Sequence, residues 1–419
     1  MRTLLIATVL AMMSLPVSAA TRLTYVMGDS NVPVYWPKSA FPIGYRVDRR
    51  LITTLPEGSV ARAFGLWSGV SDTDLTFNDL GIADGLKAGQ DGKNVVTLAD
   101  DLFANQKAIA VTSNWYDSSG RLTEADIQID ATLATSDYNI QSALAHEIGH
   151  VLGLDHSAVI SSVMYPYISR GTEMPGLDSD DKVAIAGIYP KTDPMMVGGT
   201  LHGRVIGDGG GIFAAQVVAL NEEGEPVNTT LTNTFGEFEL RGIPPGKYRL
   251  YAEPLDGPVD TRNLTGVWRQ TKSPSFPTRF SDTPEIQVDT GKIVGNLIVN
   301  GSGSVQLNPR WIGFNTTGLD QFSLSTTAVS LKPGQTVTLA VAGDGFTSGM
   351  TTFEVLNPGF HRQGNFGYSA NYVFATFNID ANAPAGSAVI LITSGNQKGA
   401  LTGALRVAAS PSRSRGVRR

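Results

Sequence analysis

Between Ile140 and Val151 the apolar residues recur at helical spacing. Taking about 100° per residue from Ile140, Leu144, Ile148 and Val151 fall near ~40°, ~80° and ~20°, while His146 and His150 fall near ~240° and ~280°. One face of this helix can pack into a core while the opposite face presents two imidazoles. Upstream, Ile43–Asp48 alternates as a strand should, and Ser59–Gly69 carries Val60, Phe64 and Trp67 at helical spacing. Leu75–Phe77 begins another strand, and Asn94–Leu98 is apolar enough to be buried on both faces. Ala108–Ser113 and Leu122–Asp130 read as further strands. Asp178 or Ser179 can cap a closing helix carrying Val183, Ile185 and Ile188. From about residue 200 only the period-2 pattern remains: Leu201–Ile206, Ala215–Leu220, Glu237–Leu240 and Lys247–Ala252 alternate between Gly/Pro turns. The pattern predicts an α+β unit followed by all-β sandwiches.

Composition sharpens this in three ways. The 46 glycines and 22 prolines in 419 residues suit a turn-rich chain of two or three domains. A net charge of −6 and a pI near 5.4 give no general basis for binding nucleic acid. There is no cysteine, so disulfides and a lipoprotein anchor on cysteine are both excluded. At the N-terminus, Arg2, the apolar run Leu4–Met13 and the small residues Val17-Ser18-Ala19 read as a secretory signal peptide over residues 1–20. That run is too short to cross a bilayer.

The chemistry concentrates in His146–His156, HEIGHVLGLDH, which holds three of the five histidines. Residues four apart share a helix face, so His146 and His150 can aim at one point. Glu147 sits one step round, near enough to reach a water there. Gly153 can adopt φ > 0, which ends the helix and lets His156 return as a third ligand. Three protein ligands with one open position is the pattern of a catalytic zinc rather than a structural one.

The extended spacing H-E-x-x-H-x-x-G-x-x-H resembles that of the metzincin zinc endopeptidases. Ser162-Val163-Met164-Tyr165-Pro166 fits their Met-turn, and Ser157 after the third histidine resembles the matrixin, or matrix-metalloprotease-like, subfamily. The resemblance spans about Trp36 to Tyr189 and implies an α+β domain with a mixed sheet and an active-site helix. It implies a metalloendopeptidase with zinc on His146, His150 and His156, Glu147 as general base, and Met164 beneath the metal without ligating it. It also implies substrate-pocket residues at Pro166 and Tyr167, although the tyrosine is shifted by one from the family's Pro-x-Tyr. Ala110 and Val111 would lie on the strand that edges the cleft, where an extended peptide could add as a further strand; a plain sheet strand is the equal alternative. One of Asp180 and Asp181 would tie back to the domain start. Asp117, Glu124, Asp126 and Asp130 offer oxygens for a structural calcium, although such acids more often serve as turn-formers and solvated strand faces.

Further along, Thr234-Phe235-Gly236-Glu237-Phe238 and Gly242-Ile243-Pro244-Pro245-Gly246-Lys247-Tyr248 resemble carboxypeptidase-regulatory-like, prealbumin-type sandwiches. Leu331-Lys332-Pro333-Gly334 and Ala383-Pro384-Ala385-Gly386 resemble turns of bacterial immunoglobulin-like sandwiches. The expected organisation is a signal peptide (1–20), a matrixin-like zinc protease domain (21–190), a linker (191–199), a prealbumin-type sandwich (200–300), an immunoglobulin-like sandwich (301–408) and a basic disordered tail (409–419). The expected activity is a secreted endopeptidase acting as a monomer on proteins or peptides, with no membrane span and no nucleic-acid partner. The β-modules are then free to bind a surface, a polymer or a protein. The alternative is a non-catalytic surface- or matrix-binding protein with a vestigial zinc site.

Overall fold

The computed structural model describes residues 22–28, 30–99, 108–131, 140–168, 176–269, 272, 274–316, 322–370 and 372–409. The signal peptide, residues 132–139 before the histidine helix and the tail from residue 410 lie outside these. The short lead before Trp36 forms a hairpin of β1 (Thr24–Met27) and β2 (Ser30–Pro33). Strand β3 (Ile43–Asp48) follows, then helix α1 (Arg49–Thr54), helix α2 (Ser59–Ser68), β4 (Phe77–Ala83), β5 (Val95–Ala99), β6 (Ala110–Tyr116) and β7 (Leu122–Asp130). Helix α3 (Ile140–Val151) and helix α4 (Ser179–Ile188) complete the first unit.

The sheet order is β4-β3-β5-β7-β6, with the first four strands parallel and β6 antiparallel at the edge. Central parallel strands are covered on both faces, and Val95 and Val96 are accordingly both buried. Alternation on β3 puts Ile43, Tyr45 and Val47 into the core. Helix α2 turns Val60, Ala63, Phe64 and Trp67 onto that core, and Trp67 Nε1 donates to Ala145 O of α3 at 2.9 Å. Leu144, Ile148 and Val151 complete it from α3.

The four carboxylates that could have offered oxygens to calcium form no such cluster; among the described residues the one group able to hold a metal is the histidine triad. Glu124 accepts from Asp91 N and Gly92 N, and Asp126 from Gly89 N and Val95 N, so the pair ties down the loop before β5. Asp117 accepts from Ser119 and Arg121 within its own turn. The expected tie from Asp180 or Asp181 to the domain start is corrected. Both sit in the first turn of α4, where Asp178 and Asp181 form a capping box, and they face the Met-turn instead. Asp181 accepts from Ser162 Oγ and Val163 N, and Asp180 from Ser157 Oγ. Tyr189 makes the tie to the domain start: its hydroxyl accepts from Trp36 N at 3.0 Å and donates to Leu152 O at 2.8 Å.

Two further units follow, each a pair of facing sheets. In the second, one sheet contains Pro226–Leu231, Gln216–Leu220, Gly246–Glu253 and Arg279–Phe280; the other contains Glu237–Ile243, Gly199–Gly207 and Ile293–Asn300. Val217, Ala219, Leu250, Leu201, Phe238 and Leu240 pack between them. In the third, Asn308–Asn315, Thr336–Asp344, Tyr372–Ile379 and Phe360–Tyr368 face Val329–Leu331, Gln397–Val407, Gly386–Ser394 and Thr351–Val355.

These units are not beads on a string. The Met-turn loop is divided between two cores: Val163 and Met164 belong to the first unit's, Ile160 and Tyr165 to the third's. Ile160 N donates to Thr402 O at 2.8 Å, Tyr165 Oη to Thr326 O at 2.7 Å, and Arg406 to Ser161 O. Asp180 also accepts from Thr229 Oγ1 of the second unit, and Asp178 from Ser387 Oγ of the third.

Candidate active site

Every residue of α3 from Ser142 to Gly149 is buried, His146 included, and His150 is half-buried. One side lies in the first core, and the Met-turn covers the other. Gly149, inside the H-E-x-x-H segment, permits this: a Cβ there would lie 2.1 Å from Met164 Sδ and 3.1 Å from Trp67 Cζ2. The strap carrying Met164 is fixed by Ser157 N donating to Met164 O at 2.9 Å and Met164 N donating to Ser162 Oγ at 2.9 Å. After α3 the chain reverses at Gly153, whose φ is +85°, and His156 swings back onto the pair.

The three rings meet with centroids 4.7, 5.2 and 4.9 Å apart, and ligand-capable nitrogens of all three lie within 4.8 Å of one another. Each Nδ1 is committed to a backbone carbonyl: His146 to Val163 O at 2.7 Å, His150 to Leu154 O at 2.9 Å and His156 to Asn263 O at 2.5 Å. A carbonyl only accepts, so each Nδ1 carries the proton and each Nε2 is left with a lone pair. His146 Nε2 and His150 Nε2 are 3.1 Å apart. Two lone pairs at that distance repel unless a cation lies between them. Tetrahedral nitrogens about 2.0–2.1 Å from zinc would stand about 3.3 Å apart, so the residues fit the ion. Burial, reinforced by the neighbouring histidines, pushes His150 well below the usual imidazole range and His146 down to about 3, which keeps both neutral, as ligands must be.

Glu147 is buried beside this cluster, and burial pushes its carboxyl up to about 7. Thr112 opposes the shift: its Oγ1 lies 2.6 Å from Glu147 Oε2 and 3.0 Å from Glu147 O. Asn114 Nδ2 donates to His150 O at 3.1 Å. The edge strand β6 thus holds the helix through Thr112 and Asn114, which share a face because they are two apart. Sequence reasoning singled out Ala110 and Val111 on this strand instead; both are half-buried there. Pro166 is half-buried, and Tyr167 is exposed with its hydroxyl donating to Pro258 O at 3.2 Å. Thr112, Asn114 and Gly149 went unnoticed in the sequence, although alternation on β6 and a glycine inside a helix were usable signals. Asn263 carries none: it lies 107 residues from His156.

Residues 44–190 match the family model described as Matrixin, and residues 200–274 that of the carboxypeptidase regulatory-like domain. Metalloendoproteinase 2-MMP of Arabidopsis thaliana is 31% identical over 167 residues, covering 37% of this chain and 42% of that protein. Interstitial collagenase A of Mus musculus is 30% identical over 145 residues, 33% of this chain and 30% of its own length. Karilysin of Tannerella forsythia is 29% identical over 176 residues, 39% of this chain and 35% of its own. The chain therefore spans less than half the length of each of these relatives. With the histidine cluster inside the matched segment, this chain carries a matrixin domain, the domain of metalloendopeptidases, followed by a carboxypeptidase regulatory-like domain.

Proposed function

We propose that the chain is a secreted zinc-dependent endopeptidase that hydrolyses peptide bonds of extracellular proteins. The observation that carries this is the convergence of three imidazoles, each with Nδ1 spent on a carbonyl, beside the buried carboxylate of Glu147. His146, His150 and His156 would hold zinc through Nε2. Bound there, zinc supplies Lewis acidity to the scissile carbonyl and makes water easier to deprotonate. Glu147 takes the proton of the attacking water and passes it to the leaving amine. Thr112 keeps that carboxylate aimed, and Asn114 fixes the helix end from which His150 projects. Among the described residues β6 pairs only with β7, so its outer edge can align an extended substrate as an added strand past Ala110 and Val111. Pro166 and Tyr167 form the wall of the pocket beyond the scissile bond. The apolar run Leu4–Met13 supports secretion.

Glu147→Ala tests the reading. The variant should fold and retain zinc, yet lose cleavage of casein or a fluorogenic peptide; chelation of the wild type should abolish cleavage, and zinc should restore it. Cleavage at the wild-type rate by Glu147→Ala would refute the assigned role. A wild type that holds zinc but cleaves nothing would favour the non-catalytic alternative.

A further inference from the structure

Two of the three histidines find their carbonyl partners within the matrixin domain, at Val163 and Leu154. The third does not. His156 Nδ1 reaches Asn263 O, in the segment of the second unit that joins strands Gly246–Glu253 and Arg279–Phe280. That segment is held firmly. Asp260 caps a single turn over Thr261–Asn263, and Asp260 N donates back to Asn263 Oδ1 at 3.0 Å. Leu255 and Leu264 are buried with Leu231, against Ala158 of the Met-turn loop and Trp268. Next to the histidine, Asp155 acts as a clamp. Its Oδ2 accepts from Thr265 N at 2.7 Å and Thr265 Oγ1 at 2.6 Å, while its Oδ1 accepts from His156 N at 2.8 Å.

We infer that the segment Leu255–Thr265 of the carboxypeptidase regulatory-like unit completes the metal site. The Asn263 carbonyl fixes the tautomer and direction of His156, and Thr265, through Asp155, holds that carbonyl at its station. Asn263 and Thr265 are positioning residues for a centre whose ligands all belong to the preceding domain. The physical reason is that a rotatable imidazole presents its Nε2 lone pair to a fixed point only if something restrains the opposite nitrogen. The matrixin domain supplies that restraint twice, and the appended domain supplies it the third time. The inference rests on the zinc-peptidase reading above.

The test uses the full-length chain with Thr265→Val and Thr265→Ser. Zinc affinity is measured by competition with a chromophoric chelator, the visible absorption of the cobalt(II)-loaded protein reports ligand geometry, and kcat and KM are measured on one peptide. Thr265→Val should bind zinc about tenfold more weakly, the low end for loss of outer-shell support. Its cobalt spectrum should change, and its kcat should fall with KM little altered; Thr265→Ser, which keeps the hydroxyl, should match the wild type on every count. If Thr265→Val fails to fold, Leu264→Val loosens the same segment more gently and is read the same way. A folded Thr265→Val with wild-type zinc affinity and cobalt spectrum overturns the inference while leaving the peptidase reading intact. A wild type that holds no zinc overturns both.

Discussion

The turn at Gly153 decides whether the third histidine returns, and its replacement has a calculable effect. Gly153 has φ +85°, a left-handed backbone that costs a residue with a Cβ about 1–2 kcal/mol. A Cβ there would also lie 2.4 Å from Val34 O and 3.2 Å from Val34 C. Neither is the end of a flexible side chain, so the lead hairpin must move away. Moving it breaks the Leu23 N to Gly153 O hydrogen bond, 2.9 Å, at about 1 kcal/mol. The sum for Gly153→Ala is about 2–3 kcal/mol, or roughly 8 °C in Tm for a unit of this size. Thermal unfolding by circular dichroism measures this directly, and the same sample should retain less zinc because His156 follows three residues later. Gly153→Asn separates the two causes. Asparagine tolerates the left-handed region better than alanine, but its Cβ meets the same oxygen, so it should recover only the conformational part. A Gly153→Ala chain melting within about 2 °C of the wild type would show that the backbone contact with Val34 is not what constrains the turn.

Two other predictions follow from groups the sequence did not advertise. Thr112→Val removes the hydroxyl from the Glu147 carboxylate, and a hydrogen bond to a charged group is worth about 1.5–3 kcal/mol, so kcat should fall about tenfold or more with KM little changed; a wild-type kcat would sink the role given to Thr112. Glu253, which accepts from Gln216 Nε2 at 2.9 Å and Thr402 Oγ1 at 2.6 Å, joins the second and third units, and burial pushes its carboxyl up to about 8. Its folded pKa lies above its unfolded one, so its contribution is complete below the unfolded pKa and is lost as pH rises through about 8. Tm should therefore decline between about pH 5 and 9, and Glu253→Gln should flatten that decline. Parallel pH profiles for variant and wild type would contradict the assignment.

Much of the first unit was legible because its rules are local. The strand Ile43–Asp48, the helix beginning at Ser59, the buried Val95-Val96 pair and the apolar face of α3 follow from periodicity alone. Capping preference allowed Asp178 or Ser179, of which Asp178 is the cap, and glycine's freedom at φ > 0 gave the turn at Gly153. The expectation for Asp180 and Asp181 failed because it came from a resemblance. These residues answer to whatever hydroxyls stand opposite the first turn of α4, and here those belong to Ser157, Ser162 and Thr229. The lead hairpin was missed because its strands are short and its anchorage lies at Gly153 and Gly120, far along the chain.

By itself the sequence determined which atoms could do chemistry. Helical spacing puts His146 and His150 on one face, and a glycine three residues before His156 lets the backbone turn. Only the tertiary structure decided which way those rings point. A ring's direction depends on the partner of its far nitrogen, and those partners are backbone carbonyls at Val163, Leu154 and Asn263. Every residue carries a carbonyl, so no sequence pattern distinguishes the one that a fold brings within reach.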